Sequence, residues 1–302
     1  MGDREHSKRG LLAAALGVLA VGCALLAGLS LWFGESLTRA AMGTVGQPPA
    51  DLPAETVRIA RAPGVSPAGW FVPGIRGAGA VLLLHPIRTD RRAMLGRARF
   101  LHRSGHSVLL IDMQAHGETP GARIGMGWHE ARDVEAALAW LARRSPGERL
   151  GVIGVSLGGA AAAFARPPEP LAATVLEAVY PSLRAAVTNR LRLRFDEYPV
   201  GEQLASLAAP LLLAQTRVWV GVPAQRLEPA AVLAGKGPVL IVSGDRDRHT
   251  TVADTARLLR GAGAGARMWM VPGAAHEDLH AFDPAGYESR VGAFLAEHLD
   301  GR

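Results

Sequence analysis

The sequence predicts an α/β fold, in which a mostly parallel central sheet carries helices on both faces. From residue 81 onward, short apolar runs alternate with segments of helical pattern, an arrangement typical of parallel sheets. Hydrophobic residues make up 49% of the 302 residues and charged residues 20%, which excludes a largely disordered chain. A third observation adds one element outside the sheet: an uncharged apolar segment near the amino terminus predicts a single transmembrane helix.

The strands of this sheet are predicted from the positions of the apolar runs. The domain opens with an antiparallel pair over 56–61 and 69–72, separated by a stretch rich in proline and glycine. Further strands are expected at 81–84, 107–111, 150–155, 174–178, 239–242 and 267–271. The helices are expected at 91–104, 130–143, 157–164, 252–259 and 287–299.

The predicted transmembrane helix covers residues 11–33, which begin at Leu11 and end at Phe33 and carry no charge. At about 1.5 Å per residue, this segment reaches about 34 Å and is long enough to cross a bilayer core. The apolar region of a secretory signal is only about 7–15 residues long. A retained signal anchor is therefore predicted, and cleavage near Ala40 and Ala41 is the alternative.

The charges beside the span predict its orientation. Arg4, Lys8 and Arg9 precede the span, whereas only Arg39 follows it closely. The positive-inside bias therefore places residues 1–10 in the cytoplasm and the globular domain on the extracytoplasmic side of the cell membrane. Residues 34–55 are rich in proline and glycine, which predicts a linker that holds the domain, residues 56–302, away from the membrane.

Charge and cysteine content limit the classes of partner. The formal net charge is +6, and only two of the basic residues, Lys8 and Lys236, are lysines. This diffuse use of arginine is weak evidence for nucleic-acid binding, so no nucleic-acid partner is predicted. The single cysteine, Cys23, excludes an internal disulfide framework and a cysteine-based zinc site.

The alternation of strands and helices is interrupted at residues 181–237. This segment holds an apolar stretch at 204–213 and the arginines Arg184, Arg190, Arg192 and Arg194. We interpret the interruption as a largely helical insertion that forms a cap over a functional site. The alternative is a packed addition to the fold whose apolar residues form a core of their own.

The strongest motif is Gly154-Val155-Ser156-Leu157-Gly158, which matches G-x-S-x-G. It follows a predicted strand and precedes an alanine-rich helix. A sharp strand-to-helix turn of this kind crowds the backbone, so small residues must flank the serine, whose hydroxyl the turn exposes. The start of the helix adds free N–H groups and the positive end of a helix dipole. Ser156 is therefore a candidate nucleophile.

A nucleophilic serine needs a base and a group that orients the base. Candidates follow the last two predicted strands: Asp245 and Asp247 after the first, and His276 after the second. These positions lie at the carboxyl ends of strands, where open α/β sheets place their sites. The spacing alone does not decide whether Asp245 or Asp247 is the group that orients the base. His249 lies too close to the acids to follow the next strand, and His280 falls in the following helix.

Several segments resemble, in chain order, landmarks of the α/β-hydrolase superfamily, in particular its esterase-like and serine-peptidase-like members. The resemblance covers nearly everything from residue 56 to the carboxyl terminus. The segments that carry it are 81–86 (VLLLHP), 112–119 (DMQAHGET), 127–133 (GWHEARD), 154–159 (GVSLGG) and 272–276 (PGAAH). The family usually places its acid three residues after a glycine, which favours Asp247, and it inserts its cap where 181–237 lies.

The resemblance implies a Ser-His-Asp triad of Ser156, His276 and Asp247 that cleaves carboxylic esters through an acyl-enzyme. A serine peptidase or an acyltransferase of the same fold is the alternative enzyme. A non-catalytic membrane-tethered binding domain is the alternative of another class. No metal or organic cofactor is implied. The apolar stretch 204–213 and the predicted span favour an apolar or lipidic ester as the small-molecule substrate, although any helical cap shows such a stretch.

The oxyanion hole is the point at which the sequence departs from the family. The resemblance implies that the Leu157 N–H is one donor and that a second donor comes from the loop after residue 84. Pro86 stands where the family often has glycine, and proline has no N–H to donate. The N–H of Ile87 is the predicted second donor, and the side chain of Arg88 is a further candidate.

Overall fold

The structure is a computed structural model that describes residues 2–61 and 64–300. Within the first helix, the side chains of residues 2–12, 19, 23, 25, 26 and 29 are not described. The orientation predicted from the charges of residues 1–10 therefore concerns side chains outside the described part.

The described residues form ten strands and ten α-helices. The strands are β1 (Ala41–Met42), β2 (Glu55–Arg58), β3 (Ala68–Val72), β4 (Ala80–Leu84), β5 (Ser107–Ile111), β6 (His116–Gly117), β7 (Leu150–Val155), β8 (Ala173–Glu177), β9 (Val239–Gly244) and β10 (Arg267–Val271). The helices are α1 (Gly2–Thr38), α2 (Leu95–Arg103), α3 (Ala131–Arg144), α4 (Leu157–Phe164), α5 (Leu183–Phe195), α6 (Gly201–Ala214), α7 (Thr216–Trp219), α8 (Val252–Ala262), α9 (Leu279–Phe282) and α10 (Pro284–Leu299).

Eight strands form one sheet in the order β10-β9-β8-β7-β4-β5-β3-β2. The strands from β10 to β5 pair in parallel, and β3 and β2 pair antiparallel at one edge. Successive side chains of a strand point to opposite faces. In β4, Leu82 and Leu84 accordingly pack in the core that contains α3, α4 and α8, whereas Val81 and Leu83 pack in the core that contains α2 and α10. The predicted parallel sheet with helices on both faces is confirmed.

Helix α1 contains the segment 11–33 for which a transmembrane span is predicted. Among the residues that the structure describes, no helix is both long enough and apolar enough to cross a membrane. The single span is therefore not confirmed.

The segment 34–55 is not the detached linker that its composition predicts. Its first residues complete α1, and β1 then pairs in parallel with β6. The N–H groups of Val45 and Gly46 donate to the Glu118 carboxylate at 3.1 Å, and Val45 and Leu52 are buried. Proline and glycine disfavour helix but permit an extended backbone that packs on a surface. A composition rich in these residues therefore indicates irregular structure, and it does not indicate that the segment lacks contacts.

The insertion at 181–237 lies between β8 and β9 and contains α5, α6 and α7. Part of it forms a small core of its own, in which Leu191 of α5 packs with Ala205 and Ala209 of α6. Other residues, including Leu183 and Leu213, join the main core. The insertion is thus helical as predicted, and it combines a core of its own with packing against the domain.

Candidate active site

Ser156 occupies the turn between β7 and α4. Its φ is +50° and its ψ is −106°, a combination that non-glycine residues rarely adopt. The Ser156 N–H donates to the Glu177 carbonyl at the end of β8 (2.8 Å), and the Ser156 carbonyl accepts from the Ala160 N–H of α4 (3.0 Å). These two bonds tie the strained residue to the neighbouring strand and to the helix that follows it.

Three glycines around Ser156 allow this turn to form. A Cβ on Gly154 would lie 2.6 Å from backbone atoms of Gly158 and Gly159, and a Cβ on Gly158 would lie 2.5 Å from the Leu84 carbonyl oxygen. A Cβ on Gly159 would lie 2.2 Å from the Val179 side chain. The small residues flanking the serine are therefore a steric requirement of the strand-to-helix turn.

Replacing Gly158 with alanine is expected to destabilise the domain by about 1–3 kcal/mol, the usual cost of overpacking, because the new methyl group meets backbone rather than a flexible side chain. Urea unfolding followed by circular dichroism measures the change. Gly43→Ala is the matched control, since a Cβ there meets nothing within 4 Å. Equal stability of the two variants would contradict the packing argument.

His276 and Asp247 are brought together by the loops that follow β10 and β9. The Asp247 Oδ2 lies 2.7 Å from His276 Nδ1. The other carboxylate oxygen, Oδ1, accepts from the N–H groups of His249 (2.7 Å) and Thr250 (2.8 Å). Asp247 is buried with 4% of its surface exposed. This arrangement fixes the carboxylate and, when the imidazole is neutral, favours a proton on Nδ1, which leaves Nε2 free to accept one.

The competing residues do not take these places. Asp245 is exposed, and its Oδ1 accepts from the Gly273 N–H (2.7 Å), which makes it a turn residue in this structure. His280 Nε2 lies 3.1 Å from Glu288. The centroids of the His249 and His276 rings lie 4.9 Å apart. Two effects lower the pKa of His249: burial, which is the larger, and the neighbouring His276.

Ser156 and His276 line one cavity of about 230 Å³, together with Pro86, Arg97 and Asp278. We call it the histidine-side cavity. The one described hydrogen bond of the His276 ring is to Asp247 and none joins it to the Ser156 hydroxyl, a separation that does not rule out a candidate nucleophile and base.

The loop after β4 is held by its buried histidine. The Met113 N–H donates to His85 Nε2 (3.1 Å), so His85 Nδ1 carries the proton and donates to the Pro86 carbonyl (2.8 Å), which also accepts from the Thr89 hydroxyl (2.8 Å). Burial lowers the pKa of His85 to about 4, so this ring is neutral. A trans peptide places its N–H opposite its carbonyl. The Ile87 N–H therefore points away from His85 and Thr89.

The candidates for the oxyanion hole, Leu157, Ile87 and Arg88, differ in their surroundings. Leu157 is the first residue of α4, where N–H groups have no partner within the helix. Ile87 and Leu157 both line a second cavity beside Ser156. The Arg88 guanidinium instead donates to the Ser36 carbonyl of α1, and Arg88 lines neither cavity beside Ser156.

The second cavity has a volume of about 110 Å³ and lies under the helical insertion. We call it the apolar cavity. Its walls come from the end of α1, the loops that carry Ile87, Met126 and Tyr180, the turn at Ser156, and the insertion. They are lined by Gly34, Leu37, Thr38, Ile87, Met126, Ser156, Leu157, Tyr180, Leu183, Ala186, Val187, Arg190, Leu212, Thr216, Trp219 and Val220. The insertion therefore covers Ser156 as a cap does.

The end of α1 is fixed against this cavity by contacts with the cap and the domain. A Cβ on Gly34 would lie 2.4 Å from Trp219 Nε1, so the helix and α7 approach as closely as a glycine permits. Glu35 pairs with Arg123 at 2.5 Å, and the Ile124 N–H donates to the Thr38 carbonyl (2.7 Å). Sequence reasoning missed this wall, because an apolar run that ends in glycine gives no sign of which surface it contacts.

A buried ion cluster connects the elements that carry Ser156 and His276. It was not predicted from the sequence. Arg97 of α2 makes two hydrogen bonds to the Glu177 carboxylate (2.9 and 2.6 Å), which also accepts from the Tyr287 hydroxyl. The third guanidinium nitrogen of Arg97 lies 2.9 Å from Asp278, two residues after His276. The cluster thus joins the carbonyl that holds Ser156 to the loop that carries His276. The one sequence signal for it is a glutamate at the end of an apolar strand.

Within residues 2–61 and 64–300, no group of three or more histidine, cysteine, aspartate or glutamate side chains is placed to hold a metal ion.

The sheet order and the turn after β7 define the α/β-hydrolase fold, and solved structures of that fold resemble the chain over most of its length. The Pyrococcus furiosus esterase Pf2001 has a TM-score of 0.69 at 21% identity, covering 88% of this chain and 99% of that one. The α/β hydrolase GrgF from a Penicillium species has a TM-score of 0.62 at 18% identity (82% and 99% covered). A thermophilic esterase from Thermogutta terrifontis has a TM-score of 0.55 at 20% identity (81% and 100% covered).

Similarity in sequence extends to two uncharacterized proteins from Mycobacterium tuberculosis strains. Each is 29% identical over 244 residues, which is 78% of this chain and 76% of the relative. No protein-family model matches the chain. The comparisons therefore establish the fold, and the function has to be argued from the site.

Proposed function

We propose that the chain is a serine hydrolase that cleaves carboxylic esters through an acyl-enzyme on Ser156. The proposal rests on one observation: His276 Nδ1 is hydrogen-bonded to the buried Asp247, and His276 lines the same cavity as Ser156. A serine on a strained turn, a base and a group that orients the base are the three parts that acyl transfer requires.

In the proposed reaction, His276 Nε2 takes the proton of the Ser156 hydroxyl as its oxygen attacks the ester carbonyl. Asp247 keeps the ring oriented and stabilises the imidazolium that forms. The tetrahedral intermediate collapses as His276 gives the proton to the departing alcohol. Water then attacks the acyl-enzyme, with His276 again as the base, and releases the acid and the free serine.

The N–H groups of Leu157 and Ile87 are the proposed oxyanion donors. The support for Leu157 is its place at the first position of α4, where the N–H lacks a helical partner and the helix dipole favours negative charge. The support for Ile87 is the fixed Pro86 carbonyl, which turns the next N–H away from His85. Each such donor typically contributes about 3–4 kcal/mol to transition-state stabilisation.

An ester is proposed as the substrate because the apolar cavity beside Ser156 suits an acyl chain. Two of the structurally similar proteins are described as esterases, which is consistent with this choice.

A fluorophosphonate probe tests the proposal, because it reacts with activated serines. The folded wild-type protein is expected to be labelled at Ser156, as mapped by mass spectrometry, and to hydrolyse a p-nitrophenyl ester. Heat-unfolded protein and His276→Ala are the controls, and both should label far more slowly. A folded protein that neither labels nor hydrolyses esters would instead point to a non-catalytic binding domain.

We also propose that residues 11–33 anchor the protein in the cell membrane with the domain on the extracytoplasmic side. The support is in the sequence: the segment has no charge, and Arg4, Lys8 and Arg9 precede it. After an alkaline carbonate wash the protein is expected to stay with the membranes, and added protease should reach the domain in spheroplasts. Release by the wash, or protection from protease, would refute the anchor or its orientation respectively.

A further inference from the structure

The apolar cavity contains one charged side chain. Among its lining residues, all of them in the described part of the chain, only Arg190 of α5 bears a charge. Leu183, Ala186 and Val187 of the same helix line the cavity beside it. An arginine on a mostly apolar wall next to the candidate nucleophile has no role in the proposed acyl transfer.

Arg190 is partly buried and has no carboxylate partner at ion-pair distance among the described residues. Its one described hydrogen bond runs from Nη1 to the Ala186 carbonyl of its own helix (3.2 Å). Burial lowers the pKa of Arg190, and Tyr180 and the Asp247 carboxylate, which lies beyond ion-pair distance, oppose this shift. The fully buried Arg91 and Arg97, in contrast, both pair with carboxylates. A guanidinium has five donors, and removing it from water without partners is unfavourable.

The two cavities beside Ser156 can be assigned to the alcohol and the acyl group of a bound ester. His276 must protonate the departing alcohol, so the alcohol has to lie beside the imidazole. His276 lines the histidine-side cavity and does not line the apolar cavity. The acyl group therefore occupies the apolar cavity, which contains Ile87, Leu157 and Arg190.

We propose that Arg190 is a specificity-determining residue that binds an anionic group at the far end of the acyl chain. This inference rests on the proposed ester hydrolysis. The class of substrate is then an ester of a dicarboxylic acid whose second carboxylate is free. The methylene chain contacts the apolar walls, and the free carboxylate accepts two hydrogen bonds from the forked guanidinium. A neutral acyl chain leaves the guanidinium unpaired, which is the basis of discrimination.

Matched ester pairs test this inference. The p-nitrophenyl monoesters of adipic, pimelic and suberic acids are compared with p-nitrophenyl hexanoate, heptanoate and octanoate, which have the same chain lengths without the carboxylate. The wild-type protein is expected to show a higher kcat/KM for the charged ester at one or more lengths. Arg190→Met is expected to lose about 10- to 100-fold in kcat/KM for that ester, as for a lost charge-assisted hydrogen bond, and to stay within about threefold for its neutral partner.

Two further variants separate recognition from stability. Arg190→Lys keeps the charge but loses the fork, so an intermediate kcat/KM for the charged ester is expected. Arg194→Met is the matched control, since Arg194 lies one turn further along α5 and is exposed outside both cavities. It should match the wild type on every ester.

The outcomes distinguish this inference from the proposed function. Hydrolysis of the neutral esters with no preference for the charged ones, or an equal loss on both in Arg190→Met, would overturn the role of Arg190 while leaving the hydrolase intact. No hydrolysis of any ester by the folded protein would overturn both. If Arg190→Met does not fold, inhibition of the wild-type protein is measured instead. Adipate should then inhibit the hydrolysis of neutral esters more strongly than hexanoate does. Equal inhibition by the two acids would refute the proposal.

Discussion

Replacing Ser156 with alanine is expected to lower kcat for a p-nitrophenyl ester by about 10³-fold or more, because the variant has no oxygen with which to form the acyl-enzyme. Any residual rate comes from substrate binding and the oxyanion donors acting on water. The measurement is single-turnover and steady-state hydrolysis, with circular dichroism and thermal unfolding to show that the domain is folded. A variant with the wild-type rate would rule out Ser156 as the nucleophile.

Ser156→Gly is the companion variant, and it should be equally inactive but more stable than Ser156→Ala. Residues with side chains lose about 1–3 kcal/mol in sparsely populated backbone regions, and glycine largely avoids this cost at the φ of +50° found here. Alanine keeps the Cβ and therefore the strain. If glycine proved no more stable than alanine at this position, the backbone would not be strained in the way that the torsion angles indicate.

Replacing Asp247 with asparagine is expected to lower kcat by about 10³- to 10⁴-fold, the range seen when the acid of such a triad is neutralised. The carboxylate accepts from His276 on one oxygen and from two backbone N–H groups on the other. An asparagine amide must turn its NH₂ group toward one of these donors, so it loses an acceptor and favours the wrong imidazole tautomer. The pH–rate profile measures this effect together with kcat.

Asp245→Asn is the matched control for this substitution. Asp245 is exposed and accepts one hydrogen bond from the Gly273 N–H, which an asparagine oxygen can also accept. Its kcat should stay within about threefold of the wild type. A large loss in Asp245→Asn with little change in Asp247→Asn would reverse the assignment of the acid.

The sheet was predictable from the sequence because its strands are short apolar runs bounded by turn residues. The strand predicted at 150–155 matches β7, and that at 267–271 matches β10. The turn at Ser156 was also predictable, since its glycines are a steric requirement that leaves a pattern in the sequence. Such local features are encoded within a few residues.

Features that depend on the approach of distant segments were not predictable. The spacing left Asp245 and Asp247 equivalent, and the family resemblance rather than a physical pattern favoured Asp247. The packing of two loops then brings the Asp247 carboxylate to His276. The pairing of Arg97 with Glu177 joins residues 80 positions apart. Residues 34–55 contact the domain through residues far along the chain, among them Glu118, which accepts from the N–H groups of Val45 and Gly46.

The position of α1 bears on how this protein is to be shortened for biochemical work. Its last turn supplies Gly34, Leu37 and Thr38 to the wall of the apolar cavity, and the following residues pair with β6. A chain that starts at residue 56, the domain boundary suggested by composition, would open this cavity to solvent on one side. Any substrate preference measured on it would then describe a truncated chain. A shortened chain that is used to test the proposed activity has to retain at least residues 34–55.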